Sequence, residues 1–432
     1  MGYTTRLLDR QAKLGRPVRV GIVGAGQMGR GLIAQVHLAE GLEVVAVADI
    51  DADRATGALK AAGCDDVVVA QNVDEAAQLI EDGRSVAIDD GLTMPKLPVD
   101  FVLEVSGVPE VAAQVAYAAI VNGKDVGLMT VEADVTVGLL LSSMANSGNS
   151  VYTVCRGDEP IECVKLIEYA EDLGLDVVAA GKGKNNPNRP TDVPEDVMDE
   201  AHRKKMNPKM LCSFTDGTKT QIEMCALSNA SGFKVEVPGM HGIKCDVDDL
   251  AKKLVPATDG GIIEGKEKVV EYVTGDVAPG VFAIVRSDSP VVTEELQYLH
   301  LGDGPYFALY RPFHLASIEA DLSIGEAVLD RSASFQSKTW TSEVTARAKT
   351  DLKAGTTLEG IGGHHVHGWT IDAADARDKH AVPIGVVAGC VLKRDVPAGT
   401  ILTEDDVEID ETRPIVAMRR LQDALLDNGT IG

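Results

Sequence analysis

RPVRVGIVGAGQMGRGLIAQVHLA, residues 16–39, decides the reading of the chain. VRVGIV is apolar enough for a parallel strand covered on both faces. Gly24, Gly26 and Gly29 then stand in G-x-G-x-x-G spacing, with Gln27 and Met28 inside the turn, before a helical run. The first glycine permits a tight turn and the second lets the backbone approach a pyrophosphate. The third allows close packing of helix on strand, and the helix N-terminus attracts the phosphates. A glycine turn also occurs without a ligand. Here it follows a strand, opens a helix, and is followed about 20 residues on by Asp49 at the end of LEVVAVADID, so a dinucleotide site is expected. Asp49 is placed to accept a hydrogen bond from the adenosine ribose, which leans to NAD. It opposes the 2′-phosphate of NADP unless Arg54 offsets it. Ser106 and Gly107, in the EVSG turn at a strand's carboxyl end, are expected to line the nicotinamide side.

Apolar strands and amphipathic helices alternate outward from this turn to about residue 150, the pattern of a doubly wound parallel sheet. The fold class is therefore α/β, with an N-terminal Rossmann domain over 1–150. The pattern becomes mixed over 151–340, expected to be an α+β catalytic and oligomerisation domain. Residues 341–432 hold an internal echo. DLKAGTTL (351–358) and DVPAGTIL (395–402) share D-x-x-AGT-x-L. This predicts a small duplicated β module with each AGT at a tight turn.

The chain has 432 residues, ordinary hydrophobic and charged fractions, and a formal net charge of −25. Such a surface repels phosphate backbones and anionic membranes, so no nucleic-acid or membrane partner is expected. No stretch has signal-peptide or membrane-span character. Seven scattered cysteines without a CxxC pair fit reduced thiols and a cytoplasmic location.

Against that acidic background GKGKNNPNRP (181–190) stands out. It reads as a basic loop after the strand LDVVAA, with Lys182, Lys184 and Asn185 presenting donors to one anion. The bland alternative is a solvated basic turn. A partly desolvated lysine also donates a proton to a carbonyl. Glu132 and Asp134, in VEADVTVG, are spaced for a divalent metal or for proton transfer, or one of them caps a helix. Glu223 and Asn229 fall on a helix ending at Gly232, as substrate contacts or as buried polar groups. Tyr310, Arg311 and His314 bring three polar tips into the aromatic-rich GPYFALYRPFHL. The tract GGHHVHG (362–368) reads as surface histidines without a carboxylate to complete a metal site.

In GIVGAGQMG with VADID, the N-terminal part resembles the NAD(P)-binding domain of homoserine-dehydrogenase-like proteins. The order VEADVTVG, GDEP, GKGKNNPNRP, EMCALSNASG and YRPFHL resembles the DXP-reductoisomerase-like (DRL) oxidoreductases. The tail from about Arg347 resembles a SAF domain, a β-clip module. The resemblance implies a nicotinamide-dependent oxidoreductase using NADPH. The activity implied converts 1-deoxy-D-xylulose 5-phosphate to 2-C-methyl-D-erythritol 4-phosphate. It implies further that Lys182 and Lys184 hold the phosphate or polarise the carbonyl, and that Glu132, Asn185, Glu223 and Asn229 bind hydroxyls or a metal. The competing expectations are a dehydrogenase of a small polyol or hydroxy acid and a non-catalytic NAD(P)-binding sensor. The expected partners are a small anionic substrate and further copies of the same chain, as a homodimer or larger homo-oligomer.

Overall fold

The computed structural model describes residues 2–265 and 268–432. The chain packs as two units that share it in pieces. One comprises residues 1–158, 315–336 and 413–431; the other comprises 159–314, 337–412 and Gly432.

The first unit is built on seven strands: β1 (Val18–Val23), β2 (Leu42–Ala48), β3 (Val67–Val69), β4 (Ser85–Ile88), β5 (Phe101–Glu104), β6 (Asp125–Leu128) and β7 (Tyr152–Val154). They pair in parallel in the order β3-β4-β2-β1-β5-β6-β7. Most of these strands are buried along nearly their whole length, as expected of a parallel sheet with helices on both faces. The strand order reverses between β1 and β5, the switch point where such sheets hold ligands beyond their carboxyl ends. The expected doubly wound sheet is thus present. One element the sequence reading did not anticipate is an N-terminal helix, Tyr3–Leu14, whose Leu7 is buried in the sheet's core.

Two distant segments complete this unit, so the expected boundaries at 150 and 340 give way to an interleaved division. Ala320, Ile324 and Ala327 join the core beneath β1. The helix Pro414–Asp427 is tied down at both ends of its packed face. Arg413 bonds Glu110 at 3.0 Å, and Gln422 accepts from Leu140 N–H at 3.0 Å. Polar groups that bond only across hundreds of residues leave no local periodicity to read.

The second unit has a four-stranded sheet in the order β11-β10-β8-β9. Its strands are β8 (Asp176–Lys184), β9 (Val269–Thr274), β10 (Val281–Arg286) and β11 (Tyr306–Arg311). β8 and β9 are parallel, while β10 is antiparallel to both its neighbours. The helix Thr218–Ser231 is buried on almost every side and stops at Gly232, whose φ of +76° closes the C-terminus as the sequence suggested.

The small β elements of this unit are β12 (Ser342–Ala348) with β13 (Val366–Asp372), and β14 (Val391–Leu392) with β15 (Val407–Glu408). The duplicated motifs face one another in reciprocal fashion. Leu352 bridges Val396, Asp351 accepts from Ala398 N–H at 2.8 Å, and Asp395 accepts from Ala354 N–H at 2.9 Å. Gly355 and Gly399 turn at φ +82° and +78°, the left-handed region that glycine enters without steric cost. Each AGT is therefore at a tight turn.

All seven cysteines are buried, and none is joined in a disulfide. No helix among the described residues is long and apolar enough to cross a membrane.

Candidate functional site

At the switch point of the first unit, Gly24 has φ +112°, and a Cβ there would lie 2.8 Å from the Val105 carbonyl group. A side chain at Gly29 would strike the Gly24 carbonyl oxygen. A Cβ on Gly26, in contrast, meets nothing within 4 Å, so the backbone between Gly24 and the helix Gln27–Leu38 is open to approach. That helix begins without a side-chain cap, leaving the N–H groups around Gln27 and Met28 to a ligand.

Asp49 lies beyond the end of β2. It accepts from Ala25 N–H at 2.8 Å and from Asp51 N–H at 3.1 Å, which fixes its carboxylate against the glycine turn. Arg54 reaches the same carboxylate at 3.2 Å while about half of its side chain stays exposed. Acid and base thus stand together beyond the end of β2, beside the glycine turn. The residues fit a dinucleotide, and the pairing of Asp49 with Arg54 suits either form.

Glu104, which ends β5, was not singled out from the sequence. It is fully buried, and its Oε1 accepts from both the N–H and the hydroxyl of Ser106. Gly107 turns at φ +71° and donates its N–H to Thr130 Oγ1 at 3.1 Å. Burial pushes the Glu104 carboxyl up to about 7; the nearby hydroxyls of Ser106 and Thr130 oppose the shift and Glu132 adds to it. An acid at the end of an otherwise apolar strand was the available signal.

Glu132 and Asp134 do not form a two-carboxylate cluster. Both lie in the first turn of the helix Val131–Gly148, where residues two apart point to different sides. Asp134 is buried and accepts from the Tyr152 hydroxyl at 2.8 Å. The expected metal or proton-transfer pair is thereby divided.

In the second unit, the GKGK run proves to be strand and not loop, since β8 continues through Lys184. Its glycines allow this. A Cβ at Gly181 would collide with the Glu271 carbonyl of β9, and one at Gly183 would collide with the backbone at Val277 and Ala278. Lys182 and Lys184, two apart on a strand, project to the same face. Both are 5% exposed, so the solvated-turn reading fails.

The two lysines have opposite electrostatic settings. Lys182 lies between Glu159 at 2.7 Å and Glu223, and these carboxylates hold its ammonium charged against the cost of burial. Lys184 donates to the Phe214 carbonyl at 2.6 Å. Burial, followed by the charge on Lys182, lowers its pKa to about 8. Glu223 also faces Lys219 at 3.7 Å, and His314 Nε2 lies 3.3 Å from Glu159. The site therefore gathers Lys182, Lys184, Glu223 and His314 from the expected set. It adds Glu159 and Lys219, which sequence reasoning missed; Glu159 belongs to the GDEP motif but carried no assigned role.

The remaining expected residues lie elsewhere or are engaged. Asn229 Oδ1 accepts from Thr341 and Ser342 N–H, both at 2.9 Å, so this buried amide anchors the start of β12 and does not face a substrate. Tyr310 donates to the Val277 carbonyl at 2.8 Å. Arg311 pairs with buried Glu162 and stacks over Phe313. Asn185 is exposed past the end of β8 and bonds Asn186.

The histidine tract also needs correcting. His364 lies 3.0 Å from Glu359 and 2.8 Å from Glu195, so carboxylates do surround it. His365 accepts from Glu359 N–H, and His367 is buried in β13, where burial lowers its pKa to about 4.

Residues 157–320 match the family model described as the catalytic domain of the oxidoreductase DRL. No curated protein matches the chain by sequence. Among solved structures, a putative myo-inositol dehydrogenase from Sinorhizobium meliloti 1021 is 12% identical, with 73% of this chain and 90% of that one covered, at a TM-score of 0.41. A scyllo-inositol dehydrogenase from Lactobacillus casei, with NAD(H) and scyllo-inositol bound, is 12% identical over 74% and 91%, at 0.42. The 1-deoxy-D-xylulose 5-phosphate reductoisomerase from Zymomonas mobilis, in complex with NADPH, is 17% identical over 48% and 57%, at 0.34. With a glycine turn and Asp49 on a parallel sheet in one unit, and a segment matching an oxidoreductase catalytic domain that includes the paired lysines, the chain is an NAD(P)-dependent oxidoreductase.

Proposed function

We propose that the protein reduces the carbonyl of a small hydroxylated substrate, with Lys184 as the proton donor. The observation that carries this reading is the buried pair on β8, in which Lys182 is held charged between two carboxylates while the Lys184 ammonium, bonded to the Phe214 carbonyl, has its pKa lowered toward the neutral range. When bound, the nicotinamide supplies or takes up hydride. The residues of this chain do the rest. The Lys184 ammonium donates a hydrogen bond to the carbonyl oxygen, polarises it, and gives up a proton as the alkoxide forms. The resulting neutral amine regains its proton from solvent. Lys182 does not titrate in this scheme; its charge keeps the Lys184 pKa low and orients Glu159 and Glu223. These carboxylates accept hydrogen bonds from substrate hydroxyls, with His314 steadying Glu159.

The finer reading is a reductoisomerase of a phosphorylated keto-sugar. A carbon–carbon bond shift yields an aldehyde, which is then reduced, as in the conversion of 1-deoxy-D-xylulose 5-phosphate to 2-C-methyl-D-erythritol 4-phosphate. The match of residues 157–320 supports it. A second reading, dehydrogenation of a neutral polyol or hydroxy acid, is favoured by a different observation. Two carboxylates already offset the charge of Lys182, an arrangement better suited to hydroxyls than to a phosphate.

The test is NAD(P)H oxidation, and the reverse reaction, with a panel of keto-sugar phosphates, inositols and hydroxy acids. Lys184→Met is run alongside, and cofactor affinity is measured separately. The expected outcome is turnover on at least one substrate, at least about a hundredfold slower in the variant, with cofactor affinity unchanged. Equal turnover by Lys184→Met overturns the proton-donor role.

A further inference from the structure

The buried carboxyl at the switch point has no part in the chemistry proposed for β8, yet its position calls for a role. Glu104 is the last residue of β5, directly across the reversal of strand order from β1 and the glycine turn. The Val105–Ser106 backbone that follows it is what a Cβ on Gly24 would touch. Oε1 is committed to Ser106, whereas Oε2 is buried and makes no hydrogen bond of normal geometry among the described residues, the Thr130 hydroxyl being the other donor near the carboxyl. A buried acceptor of this kind costs free energy, more so as a carboxylate, unless a donor or a positive charge reaches it. The polar and titratable groups around it are Ser106 on its own turn, Thr130 and Glu132 at the start of the helix Val131–Gly148, Tyr152 on β7, and Cys155 beyond it. The hydroxyls are neutral donors and Glu132 is acidic, so none of those named supplies a cation. Burial and negative neighbours also drive the Tyr152 phenol and the Cys155 thiol up, away from ionisation.

A nicotinamide cofactor changes charge at its ring during the reaction, being cationic when oxidised and neutral when reduced. We infer that Glu104 discriminates between the oxidation states of the bound cofactor, its ionised carboxylate favouring the cationic oxidised ring and its neutral acid accommodating the reduced one. This rests on the nicotinamide reading but not on the roles given to the β8 lysines. Charge and protons balance. When the oxidised form binds to protein whose Glu104 is protonated, the proton leaves for solvent and the ring's positive charge is met by the carboxylate. When the reduced form binds, Glu104 keeps its proton. Because the carboxyl titrates at about 7, the selection falls in the neutral range.

The experiment is calorimetric titration of the full chain with NAD⁺ and with NADH, at pH 6 and pH 8, in two buffers of different ionisation enthalpy. The unphosphorylated dinucleotides are used because a 2′-phosphate titrates near pH 6 itself. If binding NAD⁺ lowers the Glu104 pKa by about one unit, affinity rises about fivefold from pH 6 to pH 8, with proton release at pH 6. NADH affinity should change by less than about twofold over the same range. Glu104→Gln, which preserves the acceptor for Ser106, should abolish both the pH dependence and the proton release. Unaltered pH dependence in Glu104→Gln overturns the inference. So does NAD⁺ binding to the unaltered protein without proton release, a result that stands even when the variant does not fold. Failure of NAD⁺, NADH, NADP⁺ and NADPH alike to bind at pH 8 overturns the nicotinamide reading and this inference with it. Binding of the phosphorylated pair alone moves the same comparison to NADP⁺ and NADPH, where the proton release must again disappear in Glu104→Gln.

Discussion

Lys184→Met separates stability from activity in a way the geometry allows to be worked out. In the unfolded chain this lysine titrates near 10.5, and in the folded protein at about 8. The folded state therefore binds fewer protons between those values, and stability rises with pH across that window. At pH 7 nearly all of the shift acts against folding. Its 2.5 units correspond to about 3 kcal/mol, with no large discount because the side chain is almost fully buried. Methionine fills similar volume without charge, but it leaves the Phe214 carbonyl without its donor, which costs about 1–2 kcal/mol. The variant should thus be more stable than the parent at pH 7 by about 1–2 kcal/mol. That advantage should shrink by about 2 kcal/mol by pH 9.5, as the parent's lysine loses its proton in the folded state while the unfolded chain still keeps most of its own. Urea unfolding of both proteins at pH 7, 8 and 9.5 measures this, because the difference between them cancels the titration of every other group. A stability difference that stays constant with pH would refute a displaced Lys184 pKa, whatever the activity of the variant.

Two further outcomes are expected. Asn229→Ala removes the acceptor for two buried backbone N–H groups, and should cost about 2–4 kcal/mol in urea melts. Its KM should remain unchanged where the protein is folded, and a raised KM would restore Asn229 to the substrate site. Arg54→Ala should weaken binding of NADP by about tenfold relative to NAD, since only the former offers the guanidinium a second anion beside Asp49; equal losses for both, measured by fluorescence titration, would dismiss Arg54 as a reader of the 2′-position.

The parallel sheet could be read from sequence because its central strands are buried on both faces, so VRVGIV and LEVVAVA appear as unbroken apolar runs. The glycine turn carries its own spacing. β8 ended too early in that reading because GKGK has the composition of a loop. The glycines there serve close approach by Glu271 and Val277, and the lysines are buried, facts that depend on strands about 90 residues away. Glu159 and Glu223 reach Lys182 by tertiary folding alone, and ion pairs across such separations leave no periodic trace, whereas Lys219 and Glu223 stand four apart on one helix. Asn229 misled for the same reason. A buried amide bonding the backbone of residues 341 and 342 looks, in sequence, like one that awaits a substrate.

The interleaving of the two units bears on the order in which the protein can mature. A chain made from its N-terminus has all seven strands of the parallel sheet by residue 154, and β8 through β11 by residue 311. The sheet's layer nonetheless lacks the segment 315–336 until that is made, and lacks the helix carrying Gln422 until the chain has passed residue 427. Until then Leu140 N–H and the Glu110 carboxylate wait without their partners, and the core of the nucleotide unit stays incomplete. Closing contacts nearly 300 residues apart is slow. The helices and strands of the second unit all lie before residue 413, so it has all of its elements before the first one does. The expected sequence of events during synthesis is therefore the reverse of the order in which the two units begin.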